Sequence, residues 1–151
     1  MRGVSVLSNP SSLKVIVVNL LYSLYAVLVK YNSFNLMAIY IKTENPQRLV
    51  DRIKECIDNH SIDTWIYDSD GDFTHSVEQW KFRAWIRPYV ESGRIVFGII
   101  CRNDKNLSVA EYAVYHGRFV EMLLRHFDKT CLAVEVTPLA TNYDIINAKK
   151  E

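Results

Sequence analysis

Apolar positions along this chain change period several times, and each change marks an element. From Val15 to Val29 they run almost unbroken, interrupted by Asn19 and Ser23. At Ala38–Lys42 the pattern shortens to a strand. Asn45 then supplies an N-cap and Pro46 suits the first helical position. Leu49, Ile53, Cys56 and Ile57 recur at helical spacing, with Arg48, Asp51, Arg52 and Glu55 outward, which predicts a helix ending near Asn59–Ser61. A short strand follows at Thr64–Tyr67. Asp68-Ser-Asp-Gly-Asp72 is turn chemistry, because Asp-Gly readily takes positive φ, and Ser76–Trp80 reads as a helical turn.

Period two returns over Phe82–Glu91 and Arg94–Arg102, around Ser92-Gly93, and predicts a hairpin. A two-residue loop pairs Val90 with Ile95, Pro88 with Phe97, Ile86 with Ile99 and Ala84 with Cys101. Pro88 has no N–H for a ladder, so its strand should be an edge or should break there. Ser108-Val-Ala-Glu111 is a capping box. Val109, Tyr112, Ala113, His116, Phe119, Val120, Leu123 and Phe127 then form one broad stripe to about His126. Gly117 costs such a helix about 1 kcal/mol against Ala, so a close backbone approach is expected there. Leu132, Val134 and Val136 alternate in a last strand that Pro138 helps to end, and the polar tail from Thr141 is expected to fray.

The predicted order is β-α-β-β-β-α-β. It gives an α+β domain, with two helices on one face of an antiparallel sheet of about five strands. In order of elements this resembles a ferredoxin-like α/β plait with one extra strand. The stretches WIYDSDGDFTH and VYHGRFVEMLLRHFD resemble small bacterial proteins, a likeness that implies no activity.

Charge divides the chain at Met37. Of 18 Lys and Arg, three (Arg2, Lys14 and Lys30) fall in the first 36 residues, whereas all 17 Asp and Glu follow. Residues 37–151 are therefore slightly acidic, which excludes the basic footprint of a duplex nucleic-acid binder. The apolar run would span about 22 Å as a helix, short of the ~30 Å hydrocarbon core of a bilayer. Two readings of it stand: a membrane anchor through Val15–Val29, or a leader upstream of a natural start at Met37. The second is favoured, and residues 37–151 are expected to fold without residues 1–36, with the domain at 37–140 and a polar tail at 141–151. Cys56, Cys101 and Cys131 form no CxxC motif, which suits reduced thiols in a cytoplasmic protein. No cofactor is expected.

Candidate chemistry is thin. Asp68, Asp70 and Asp72 alternate as at the start of a calcium loop, but Phe73 and Gln79 stand where that loop needs Gly and Glu. A solvated turn is the better reading. The four histidines make no zinc-binding spacing. His116 lies on the helical stripe and weighs more as a satisfied core histidine than as a catalytic base. A pocket between the second helix and the loop after the second strand would use His75, His116, Asp70 and Arg118.

The sheet face opposite the helices is more suggestive. It carries Arg83, Trp85, Arg87 and Tyr89 opposite Val96 and Ile100, with Tyr40 and either Trp65 or Tyr67 in reach. Arg interleaved with aromatic rings is the composition of an interface hot spot. The leading expectation is thus a non-enzymatic module that forms a homodimer or meets another protein partner through this face. The first alternative is a small enzyme or ligand-binding domain at His75 and His116. The second is a platform for single-stranded nucleic acid. The competing possibility for the face is that residues 60–80 or the tail fold back over it.

Overall fold

The computed structural model describes residues 38–138 and 140–148, and the expectations placed on residues 1–36 lie outside that range. Six strands and two helices follow in order: β1 (Ile39–Lys42), α1 (Pro46–Asp58), β2 (Trp65–Tyr67), β3 (Phe73–His75), β4 (Ala84–Glu91), β5 (Arg94–Cys101), α2 (Val109–Phe127) and β6 (Ala133–Val136). The strands form one open sheet in the order β2-β3-β4-β5-β1-β6, antiparallel at every step. No helix among the described residues is long and apolar enough to cross a membrane.

Local chemistry explains most of this. The Asn45 side chain accepts the Arg48 N–H at 3.1 Å, and Pro46 opens α1. Both halves of the Ser108/Glu111 capping box form. Glu111 also meets Lys105 (3.1 Å) and Arg83 (3.5 Å). The Ser108 hydroxyl and the nearby Lys105 hold its carboxyl down at about 2, against the effect of burial. The β4–β5 register is the expected one, from Ala84 opposite Cys101 to Val90 opposite Ile95. Pro88 is tolerated because β3 pairs with β4 only at Phe73 and Ile86.

The core lies between one face of the sheet and the two helices. Ile39, Ile41, Ile86, Ile95, Phe97 and Ile99 share a cluster with Leu49 and Ile53 of α1 and with Phe119 and Leu123 of α2. Phe119 centres it, with its ring centroid 4.8 Å from Phe97 and 4.9 Å from Trp65. Full burial of such side chains is worth about 1.5–3 kcal/mol each.

Four expectations are corrected. The strand count rises from five to six because β3 is three residues, too short to show a period. The buried face of α2 also includes Tyr115 and Met122, while Val109 and Ala113 are exposed. The polar tail does not fray in the part described. Asp144 accepts the Ile99 N–H (2.6 Å), and Ile145 exchanges backbone bonds with Ile99 and Cys101 along the β5 edge beyond β1. Finally, the close approach falls at Gly98, where a Cβ would overlap the Tyr143 carbonyl, whereas a Cβ on Gly117 meets nothing within 4 Å.

Candidate functional site

His75 ends β3 directly opposite Trp65 of β2, and the two rings lie 4.7 Å apart. The hairpin turn between them is built by Asp68, whose carboxylate accepts the N–H groups of Asp70 and Asp72 (3.0 Å each), and by Gly71 at φ +85°. Beyond His75 the chain is pinned to the loop after α1, where Ser76 donates its N–H to the Thr64 carbonyl (3.0 Å).

Above this hairpin, Arg118, Met122 and Arg125 project from one side of α2, as residues three and four apart on a helix do. Tyr115 fixes the fourth wall. Its hydroxyl donates to the Trp80 carbonyl and accepts the Ala84 N–H, which holds the 77–83 loop against α2. The result is a cleft of about 470 Å3, floored by Trp65, His75 and Met122 and rimmed by Asp63, Trp80, Arg118 and Arg125. That volume falls within the range of about 300–1,000 Å3 common for small-molecule sites. His75 is only 4% exposed, and neither ring nitrogen has a hydrogen-bond partner. Burial, then the nearby Arg118 charge, lowers its pKa and favours the neutral imidazole.

His116 is brought to a different place. It lies two residues from Arg118, about 200° around the helix axis. Its ring stacks on Tyr112 at 3.9 Å and its Nδ1 donates to the Tyr112 carbonyl (3.2 Å), since a carbonyl can only accept. Burial pushes its pKa down to about 4. It takes no part in the cleft. Asp70 likewise stays on the hairpin turn.

The acidic run does not converge. Asp72 turns inward and pairs with Arg87 (Nε to Oδ1, 2.8 Å), while Asp68 caps the turn. Among the described residues no group of three His, Cys, Asp or Glu side chains is arranged to hold a metal ion.

The aromatic stripe is only partly open. Val96 is fully buried, which removes it as an interface residue. Trp65 belongs to the helix-covered face. Arg87 is committed to Asp72 and Arg83 to Glu111. Tyr143 from the tail packs on Tyr89 (5.0 Å between rings) and across Gly98. Ile100 is half-buried beside Ile145. Phe82, expected to begin the strand, instead takes φ +55°, leaves it and stands 48% exposed with its ring near parallel to Trp85 (21°).

Residues that sequence reasoning passed over are Trp80, Met122 and Arg125. The spacing of Arg118, Met122 and Arg125 was the available signal for a shared helix side. Comparison with protein-family models, with curated proteins and with solved structures finds no match.

Proposed function

We propose that this chain is a small-molecule-binding domain whose ligand sits in the cleft at His75. One observation supports this above others: a buried imidazole with both nitrogens unpartnered floors a cleft of ligand size. Leaving a buried polar group unpaired costs about 1–3 kcal/mol. Both nitrogens are closed to solvent, so a ligand recovers that cost only as the ring turns one of them toward the cleft. Binding without covalent chemistry is favoured, because no hydroxyl or thiol is hydrogen-bonded to either buried histidine among the described residues. Burial also pushes the Cys101 and Cys131 thiols up, away from thiolate.

The test uses the three tryptophans as reporters. Trp65 and Trp80 line the cleft, and Trp85 lies on the other side of the sheet. The full 15N-labelled chain is titrated with neutral, anionic and cationic fragments while the indole N–H signals are followed. Trp65 and Trp80 should shift and Trp85 should not. A fragment set that moves neither Trp65 nor Trp80 sinks the reading.

A second reading rests on the exposed Phe82 stacked against Trp85, beside a shallow depression lined by Arg102, Asn103 and Asp104. It is self-association as a homodimer through this remnant of the stripe. Sedimentation of the full chain and of Trp85→Ala decides it: two monomers at micromolar concentration remove it. In either reading we take β6-β1-β5-β4 with the two helices as a ferredoxin-like plait, with β2–β3 added as a hairpin at one edge.

A further inference from the structure

Two guanidiniums rise from one side of α2 at the mouth of the cleft. Arg118 and Arg125 are about two turns, ~10.5 Å, apart along the axis, with the apolar Met122 between them on the floor. Arg118 meets Glu121 at 2.8 Å, but both side chains are more than half exposed, and such a pair adds little and exchanges freely. Arg125 has no ion pair or hydrogen bond among the described residues. On the opposite rim Asp63 faces His60 at 3.9 Å, and both are largely exposed. The titratable group on the floor is His75, which lies within the positive field of Arg118.

We infer that the cleft takes a small organic oxyanion, a carboxylate or phosphate monoester on a flat apolar body. The anionic group sits between the two guanidiniums, above the His75 ring, where charge-assisted hydrogen bonds to Arg are strongest. The apolar body lies against Val77, Trp80 and Met122. This inference rests on the cleft being the binding site. It also carries a consequence for His75. An anion at the floor offsets the Arg118 charge and stabilises the imidazolium, so the His75 pKa rises on binding.

The full chain is titrated with benzoate, phenyl phosphate, benzamide and benzylamine, with the Trp65 and Trp80 indole signals and the His75 ring proton as readouts. Benzoate or phenyl phosphate should bind about tenfold or more tighter than benzamide or benzylamine, a difference of about 1.4 kcal/mol. Whichever oxyanion binds tighter identifies the acid group. Arg118→Gln and Arg125→Gln, both at exposed positions, should each reduce that preference severalfold and leave benzamide binding unchanged. The His75 pKa should rise at saturating oxyanion. Benzamide or benzylamine binding as tightly as benzoate, or a preference that survives both substitutions, overturns the oxyanion assignment while the cleft stands. Failure of all four probes to move Trp65 or Trp80 overturns the cleft as well.

Discussion

The two flanks of α2 bury a histidine each, and they do so in opposite ways. On the flank toward β6, His116 stacks on Tyr112 and donates to the backbone of its own helix, and the Tyr112 hydroxyl donates to the Thr137 carbonyl (3.3 Å). On the flank toward the β2–β3 hairpin, His75 has aromatic neighbours but no hydrogen bond, and space opens above it. The lesson is that burial alone says little about function. His116 Nε2 is buried without a partner as well, so what separates the two is that His116 keeps one bond to its own helix while the His75 ring, with none, borders an open cleft.

The largest expected effect tests the closed flank. Folding holds the His116 pKa at about 4, against an ordinary 6.5. Between those values the unfolded chain binds a proton that the folded chain refuses. Stability therefore falls as pH drops from 6.5 to 4, by up to about 3 kcal/mol, and this contribution is constant below that window. Denaturant melts across the window should show the slope, and His116→Leu should flatten it whatever its own stability. An unchanged slope would mean that the imidazole is not sealed. The His75 contribution has the same sign, and saturating benzoate should reduce it alone.

Next in size is the seal on the far face of the sheet. An added Cβ on Gly98 overlaps the backbone of Tyr143, which has no side-chain freedom to yield. Gly98→Ala should cost about 1–3 kcal/mol, as overpacking does. It should also free the Ile99 and Cys101 amides, which bond to the Asp144 carboxylate and the Ile145 carbonyl. Faster hydrogen exchange at those two amides with unmoved Trp65 and Trp80 signals is the expected pattern. Retained protection would show that the tail is not what closes this face.

Much of the fold was legible because it is written locally. Asn45-Pro46, the Ser108/Glu111 box and the alternation around Ser92-Gly93 specify their elements within a few residues. The cleft was only half legible. His75 and Arg118 do line one cleft, a proximity readable from the local order of hairpin and helix side, although His75 ends a strand rather than lying in a loop. Adding His116 failed because its place on the stripe does not say which flank of the helix it packs on. The missed strand at Phe73–His75 and the docked tail share another cause. Three residues carry no period, and the tail is held by Thr141 and Asp144 side chains acting on backbone groups, with Thr141 offering its N–H to Asp144 (2.8 Å). Neither leaves an apolar pattern. The exposed Phe82 was unreadable because alternation through Phe82–Glu91 takes no account of a positive φ at its first residue.

The smallest effect separates the two flanks most cleanly. Gly117 lies between His116 and Arg118 on the solvent side of α2, and a Cβ there meets no heavy atom within 4 Å. Gly117→Ala should therefore act through backbone entropy alone and stabilise the chain by about 0.5–1 kcal/mol. Because the substitution touches neither histidine, it should leave the acid slope of His116 and the benzoate affinity of the cleft where they were. Thermal melts read the first expectation and the indole titration the second. If the variant is more stable yet binds oxyanions more weakly, α2 must bend at Gly117 for ligand to enter, and the open flank would be a moving site rather than a preformed one. A destabilised variant would instead show that something packs against this side of the helix.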